Sequence, residues 1–191
     1  MSTSTAGRVA QAVFVAAAVG AVSVFASTVK DGEHRRSPAA LAQLLNPSYV
    51  GDNRTAPDFD LVDREGHHHK LSDYRGRNLV LHFWSRTCAP CVEELQSSLP
   101  GFDEIVRDRS DIALLLVTVD ANWTAIAPLV PPDFRSPIVF DPQRRVVTGM
   151  YGTRLFPETW VIDRNGVIRA RFDHTLEWAS PIFVDYVSSL R

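Results

Sequence analysis

The chain holds two cysteines, Cys88 and Cys91, separated only by Ala89 and Pro90. Two thiols at this spacing can close a disulfide with little movement of the backbone. An apolar run, Leu79-Val80-Leu81-His82-Phe83-Trp84, comes before the pair, and a helical pattern follows it. The pair therefore sits where a buried strand runs into a helix, the placement that suits thiol redox chemistry. Unpaired N–H groups at a helix start stabilise the thiolate of the first cysteine and lower its pKa. Two buried structural thiols, or half of a zinc site, are the competing readings. A closed zinc site takes four ligands, and the chain has no second C-x-x-C. On the redox reading the active couple is the cysteine pair itself, a redox-active disulfide, and no separate cofactor is called for. Both cysteines belong to the motif, so no other structural disulfide can form and the core alone must hold the fold.

Positioning that pair requires a framework, and the chain has the length for it. At 191 residues, 45% hydrophobic and 22% charged, it allows one ordinary globular domain with extras. A net charge of -2 gives no reason to expect nucleic acid as a partner. Asp58-Phe59-Asp60-Leu61-Val62 alternates polar and apolar residues, as a half-buried strand should. Asp63-Arg64-Glu65-Gly66 supplies a turn, and His67 to Leu71 can pair back as a hairpin. Leu79 to Trp84 is the first central strand. The helix after it starts near Ala89 and runs to about Arg109, with a kink or break at Pro100-Gly101. Ile112 to Val119 is nearly all apolar, which suits a parallel sheet covered on both faces. Asn122 can cap a short helix through about Val130. A brief strand at Ile138 to Phe140 and a short helix from Arg144 to Tyr151 come next. Glu158 to Ile162 and Val167 to Phe172 flank the turn Asp163-Arg164-Asn165-Gly166, and an amphipathic helix from Trp178 to Leu190 closes the chain.

The first residues read as an address. Val9 to Val29 are 21 uncharged residues in a row, enough to span a bilayer core. After a short tail, 1–8, we read 9–29 as a transmembrane signal anchor; the alternative is a signal peptide cut after Ala26. Lys30, Arg35 and Arg36 outnumber Arg8, which on the positive-inside rule alone favours the opposite orientation. The very short tail and the redox motif argue instead for the C-terminal part lying outside the cytoplasm. Residues 30–55 read as a linker, with at most two turns of helix around Leu41 to Leu45, and 56–191 as the globular domain.

The globular part resembles the thioredoxin superfamily, specifically its TlpA/ResA-like membrane-anchored thiol-disulfide oxidoreductases. The matching stretches are Ala56-Pro57-Asp58-Phe59, Leu71 to Arg77, Phe83-Trp84 with the C-x-P-C of Cys88 to Cys91, Glu94, Tyr151-Gly152, Pro157-Glu158-Thr159, Ile162-Asp163 and Asn165-Gly166. The resemblance implies an α/β, thioredoxin-like fold: a central mixed sheet flanked by helices, with an added N-terminal β-hairpin. Three positions depart from the family pattern. Thr87 replaces a tryptophan before the first cysteine, Gln96 a helix-kinking proline, and His82 the aspartate or asparagine of the central strand.

Roles follow for individual residues. Cys88 is expected to be the exposed nucleophile, because only a thiolate attacks and the reaction passes through a mixed disulfide. Cys91, one helical turn inward, is expected to resolve it. Pro90 shapes the first helical turn, where no N–H is needed, and Trp84 supports the motif from the strand end. Glu94 lies three residues after Cys91 and shares its helix face; buried there, its carboxyl would be raised and could exchange a proton with Cys91. The alternative is an ordinary exposed glutamate, as Glu93 is expected to be. His82 points to the same side as Val80 and Trp84, as a second proton carrier or as a core histidine satisfied by one hydrogen bond. The resemblance implies a cis bond at Phe156-Pro157, with backbone beside the disulfide that pairs with extended substrate. Arg86 is read as a solvated charge and His67-His68-His69 as a solvated hairpin end rather than a metal site.

The expected function is a membrane-tethered, extracytoplasmic thiol-disulfide oxidoreductase that reduces other proteins' disulfides. Its partners are protein thiol and disulfide substrates and, by the resemblance, a membrane thiol-electron donor; cytochrome c maturation is one pathway. The alternatives are a copper chaperone using Cys88, Cys91 and His174, and a thioredoxin-fold interaction module with little turnover.

Overall fold

Two strands without a single exposed residue form the centre of the sheet: β4 (Asn78–Trp84) and β5 (Ile112–Thr118). They run parallel, with Leu79 opposite Ala113 and Trp84 opposite Thr118. Strands apolar on both faces must be covered on both faces, and here they are. Beside β5 lies the short parallel strand β6 (Ile138–Phe140); beside β4 lies β7 (Glu158–Ile162), antiparallel, followed by β8 (Val167–Phe172). The β7–β8 turn closes with Gly166 at φ 77° and its N–H on the Asp163 carbonyl. Beyond β6 a hairpin of β2 (Asp60–Asp63) and β3 (His68–Lys70) adds the outermost strands on that side. The structure, a computed structural model, describes residues 37–190. The span expected at 9–29 lies outside the described residues, and among the described residues no helix is long and apolar enough to cross a membrane.

Within the expected linker, 30–55, the short helix around Leu41 to Leu45 is present, but Tyr49–Thr55 needs correction. Ser37 caps a helix, α1 (Pro38–Leu45), and Tyr49–Thr55 forms an edge strand, β1, antiparallel to β8. The sheet therefore has eight strands in the order β1-β8-β7-β4-β5-β6-β2-β3. A strand at a sheet edge needs little burial, so the polar run Gly51-Asp52-Asn53-Arg54-Thr55 does not look like one in sequence.

The helix after the cysteines is also two helices, α2 (Ala89–Gln96) and α3 (Leu99–Arg107). The break falls at Ser97-Ser98, ahead of the expected Pro100, because Pro100 occupies the first turn of α3 where its missing N–H costs nothing. A short helix, α4 (Trp123–Ile126), is capped by the Asn122 side chain as expected. The closing helix α5 (Pro181–Ser189) starts later than the apolar pattern suggested, since Ser180 caps it and Pro181 opens it. Trp178 is left outside the helix.

Side chains alternate across β4 into two cores. Val80 and Trp84 pack with Cys91, Leu95, Phe102, Trp178 and Phe183, on the face covered by α2, α3 and α5. Leu79, Leu81 and Phe83 pack on the other face with Phe59, Tyr151 and Trp160.

Candidate active site

Cys88 and Cys91 are joined as a disulfide, with their Cα atoms 5.3 Å apart. Cys88 is the N-cap of α2, and the Cys91 N–H points at its sulfur at 3.2 Å. A thiolate at Cys88 would meet that N–H and the positive end of the helix. Cys88 is half-buried, Ala89 and Pro90 are exposed, and Cys91 is buried in the core. Of the two sulfurs, Cys88 is thus the one an incoming disulfide can reach. Pro90 occupies the first turn of α2. Trp84, at the end of β4, is buried in the same cluster as Cys91.

One turn after Cys91, Glu94 is 4% exposed. Its Oε1 accepts two hydrogen bonds, from the Leu176 backbone N–H at 2.7 Å and from the Trp178 indole N–H at 2.8 Å. Its Oε2 is buried and has no partner within the described residues. Burial raises this carboxyl to about 7, and the bonds from Leu176 and Trp178 hold it from rising further. A carboxyl poised near neutrality, with one oxygen committed and one free, can hold or release a proton.

His82 stands behind this group. It is fully buried, its Nδ1 lies 3.0 Å from Thr159 Oγ1, and its ring meets the Trp178 indole edge-on with centroids 4.9 Å apart. Burial lowers its pKa to about 3, so the imidazole is neutral across the working range. Of the two sequence readings, this favours the core histidine that supplies shape and one hydrogen bond.

Trp178 thus touches both groups that the sequence had singled out, yet lies 84 residues from Glu94. No local signal joins them; a tryptophan just ahead of a Ser-Pro helix start was the available hint. Trp178→Phe removes a hydrogen bond to the ionised form of Glu94. Such bonds contribute about 1.5–3 kcal/mol, so we expect the midpoint of Glu94 titration to move up by about one to two pH units. Infrared titration of the carboxyl in the oxidised protein checks this; an unmoved midpoint would dissociate Trp178 from the tuning.

The Phe156-Pro157 bond is cis, and it lies one step beyond the Phe83–Glu158 pairing of β4 with β7. This puts it at the sheet edge where β4 ends and the cysteine loop begins. Pro157 is buried and Phe156 half-buried. The next residue, Glu158, is buried and holds the loop from two sides: it accepts from the Thr153 hydroxyl, and from Arg171 Nη2 at 2.6 Å. The Arg171 contact was not legible locally, since Arg171 lies on the neighbouring strand β8.

Other candidates fall further out. Arg86 is 54% exposed, with its Nε 3.4 Å from Asp120. Of the histidine run, His67 and His68 are exposed and face Asp63 and Asp60, at 3.3 and 2.6 Å. His69 is half-buried between Asp63 and the Tyr74 hydroxyl. Burial pulls the Asp63 carboxyl up, but bonds from His69, His67 and the turn backbone outweigh it and leave it near 2. His174 is exposed, edge-on to Phe172 and 3.8 Å from Asp173.

A sheet of this topology with a disulfide at the cap of α2 defines a thioredoxin-like redox protein. The chain belongs to the AhpC/TSA family, whose model matches residues 53–171, and it is a thiol-disulfide oxidoreductase. It is 35% identical over 123 residues to the thiol-disulfide oxidoreductase ResA of Geobacillus kaustophilus, covering 63% of this chain and 68% of that one. The ResA of Geobacillus thermodenitrificans is 37% identical over 125 residues, with the same coverage. Among solved structures, the exposed lipoprotein thioredoxin Etrx1 of Streptococcus pneumoniae superposes with a TM-score of 0.58 at 24% identity, covering 70% of this chain and all of that one. A Chlorobium tepidum protein described as the thiol:disulfide interchange protein DsbE gives 0.60 at 24%, covering 75% of this chain and all of that one. These two support the fold.

Proposed function

We propose that the protein reduces disulfides of other proteins on the outer side of a membrane to which residues 9–29 tether it. The observation that carries this reading is the pairing of a reachable Cys88 sulfur with a buried Cys91 backed by Glu94. In the reduced protein the Cys88 thiolate attacks one sulfur of the substrate disulfide. A Cys88–substrate bond forms, the substrate S–S bond breaks, and the departing thiolate takes a proton from water. Cys91 passes its proton to Glu94 Oε2, the oxygen without a partner, and its thiolate attacks Cys88 Sγ. The second substrate thiol leaves and the Cys88–Cys91 disulfide closes. Two electrons move from the protein dithiol to the substrate, and a second dithiol must return them by the reverse exchange. A membrane thiol-electron donor would supply that dithiol, and cytochrome c maturation is one process that consumes such reductant. The backbone beside Phe156-Pro157 serves as the ledge for the substrate chain.

Location supports a tethered reading only through sequence: the uncharged run Val9 to Val29 precedes the domain. Alkylation of intact cells at neutral pH with a membrane-impermeant maleimide, followed by acid quenching, lysis and labelling of the remaining thiols with a second alkylating agent, tests location and direction together. A reductant should be labelled from outside and found chiefly as the Cys88/Cys91 dithiol. A chiefly oxidised pool would make the protein an oxidant, and labelling only after lysis would place it inside.

A further inference from the structure

The strands β4, β5 and β6 end at one edge of the sheet, and β7, antiparallel to β4, begins there. Cys88 follows β4 at this edge. The connection from β6 to β7, Asp141 to Pro157, leaves and returns to the same edge. It carries Arg144, Arg145 and Arg154 against a single acidic residue, Asp141, in a chain whose net charge is -2. All three arginines are exposed, and none forms an ion pair among the described residues. Asp141 is buried and occupied by the backbone N–H groups of Arg145, Val146 and Val147.

The same connection exposes apolar surface. Leu155 is 83% and Met150 47% exposed. Leu155 directly precedes Phe156, and the Arg144 guanidinium sits over the Phe156 ring, 5.6 Å from its centroid. A single exposed leucine is unremarkable. Here, however, the apolar side chains alternate with unpaired cations on the strip that leads into the cis proline, at the end of the sheet where the cysteine loop begins.

We infer that this connection is the docking rim for the substrate polypeptide, and that it selects disulfides flanked by acidic and apolar residues. The inference rests on the proposed reading that the substrate is a protein disulfide, and it names the class. Substrate carboxylates would face Arg144 and Arg154, and an apolar side chain would cover Leu155. Exposed rim charges act mainly on encounter rate and on discrimination between partners, and salt screens them.

The test uses the full chain in neutral detergent, reduced with dithiothreitol and freed of it. The probes are two cystine-bridged peptides, identical except that the residues flanking their cysteines are Glu and Leu in one, Lys and Leu in the other. The acidic peptide should be reduced about 10-fold faster at low ionic strength, and the preference should fade as salt is added. Combining Arg144→Glu with Arg154→Glu should invert the ratio of the two rates. The ratio is internal to each protein, so a general loss of activity does not obscure it. Equal rates for the two peptides at low salt, or a ratio unchanged in the variant, would overturn the inference. Failure to reduce either peptide or neutral hydroxyethyl disulfide would instead refute the proposed function. Arginine-dependent binding to phosphatidylglycerol vesicles without any peptide preference would also overturn it, and would assign the strip to the membrane surface.

Discussion

Cys88→Ser is expected to abolish disulfide exchange, lowering the rate by several orders of magnitude to the level of the uncatalysed reaction, while Cys91→Ser is expected to leave the first half-reaction intact. The asymmetry follows from exposure and capping. Cys88 is half-buried, caps α2 and receives the Cys91 N–H at 3.2 Å; Cys91 is 1% exposed. Only the first sulfur can be approached by a protein disulfide, and only a thiolate attacks. Without Cys91 the mixed disulfide still forms and cannot resolve. Stopped-flow measurement of single turnovers separates the two steps. Comparable burst amplitudes in both variants would refute the division of roles.

Glu94→Gln is expected to slow resolution of the mixed disulfide by about 10²-fold at pH 7, the usual effect of losing a positioned general base. In the wild-type protein the resolving rate should rise with pH through about 7, where the Glu94 carboxyl ionises. The variant should lose that limb and follow the Cys91 thiol alone. Stability offers an independent reading of the same group. The folded-state value of about 7 lies above the ordinary 4.5 because of burial, so the fold prefers the neutral carboxyl. Its stabilising contribution is therefore complete below about pH 4.5 and is lost as pH rises through about 7. The difference corresponds to roughly 3 kcal/mol. Urea unfolding of the oxidised protein should show that decline, and Glu94→Gln, neutral throughout, should flatten it. A pH profile of resolution and stability shared by both proteins would remove Glu94 from proton transfer.

The parts of this site that could be read in the sequence are those held together by one helix. The spacing of Cys88, Cys91 and Glu94 on α2 depends on helical geometry alone, and burial of Glu94 follows from facing the same side as Cys91. The strand Leu79 to Trp84 was equally plain, being apolar throughout. Pro157 was harder: its position came from resemblance, since proline before a strand is ordinarily trans. Trp178 was missed because its link to Glu94 spans most of the domain, and because apolar periodicity carried the last helix back over it. Ser180 and Pro181 overrule that pattern, as a cap and a first-turn proline do. Tyr49–Thr55 reads as linker because an edge strand can remain polar. Its Arg54 lies 5.2 Å from the centre of the Trp160 ring, and its backbone pairs with β8; neither leaves a mark in local composition.

On the proposed reading, substrate choice and proton handling sit on different elements. α2 carries the thiols and the carboxyl, the loop before α5 sets that carboxyl, and the β6–β7 connection meets the substrate chain. The most direct test of the central claim is to mix Cys91→Ser and Cys88→Ser proteins separately with a disulfide-bonded protein and map any covalent adduct by mass spectrometry. The account predicts a stable mixed disulfide through Cys88 in the first and none in the second. An adduct through Cys91 in the Cys88→Ser protein, with none at Cys88, would contradict it.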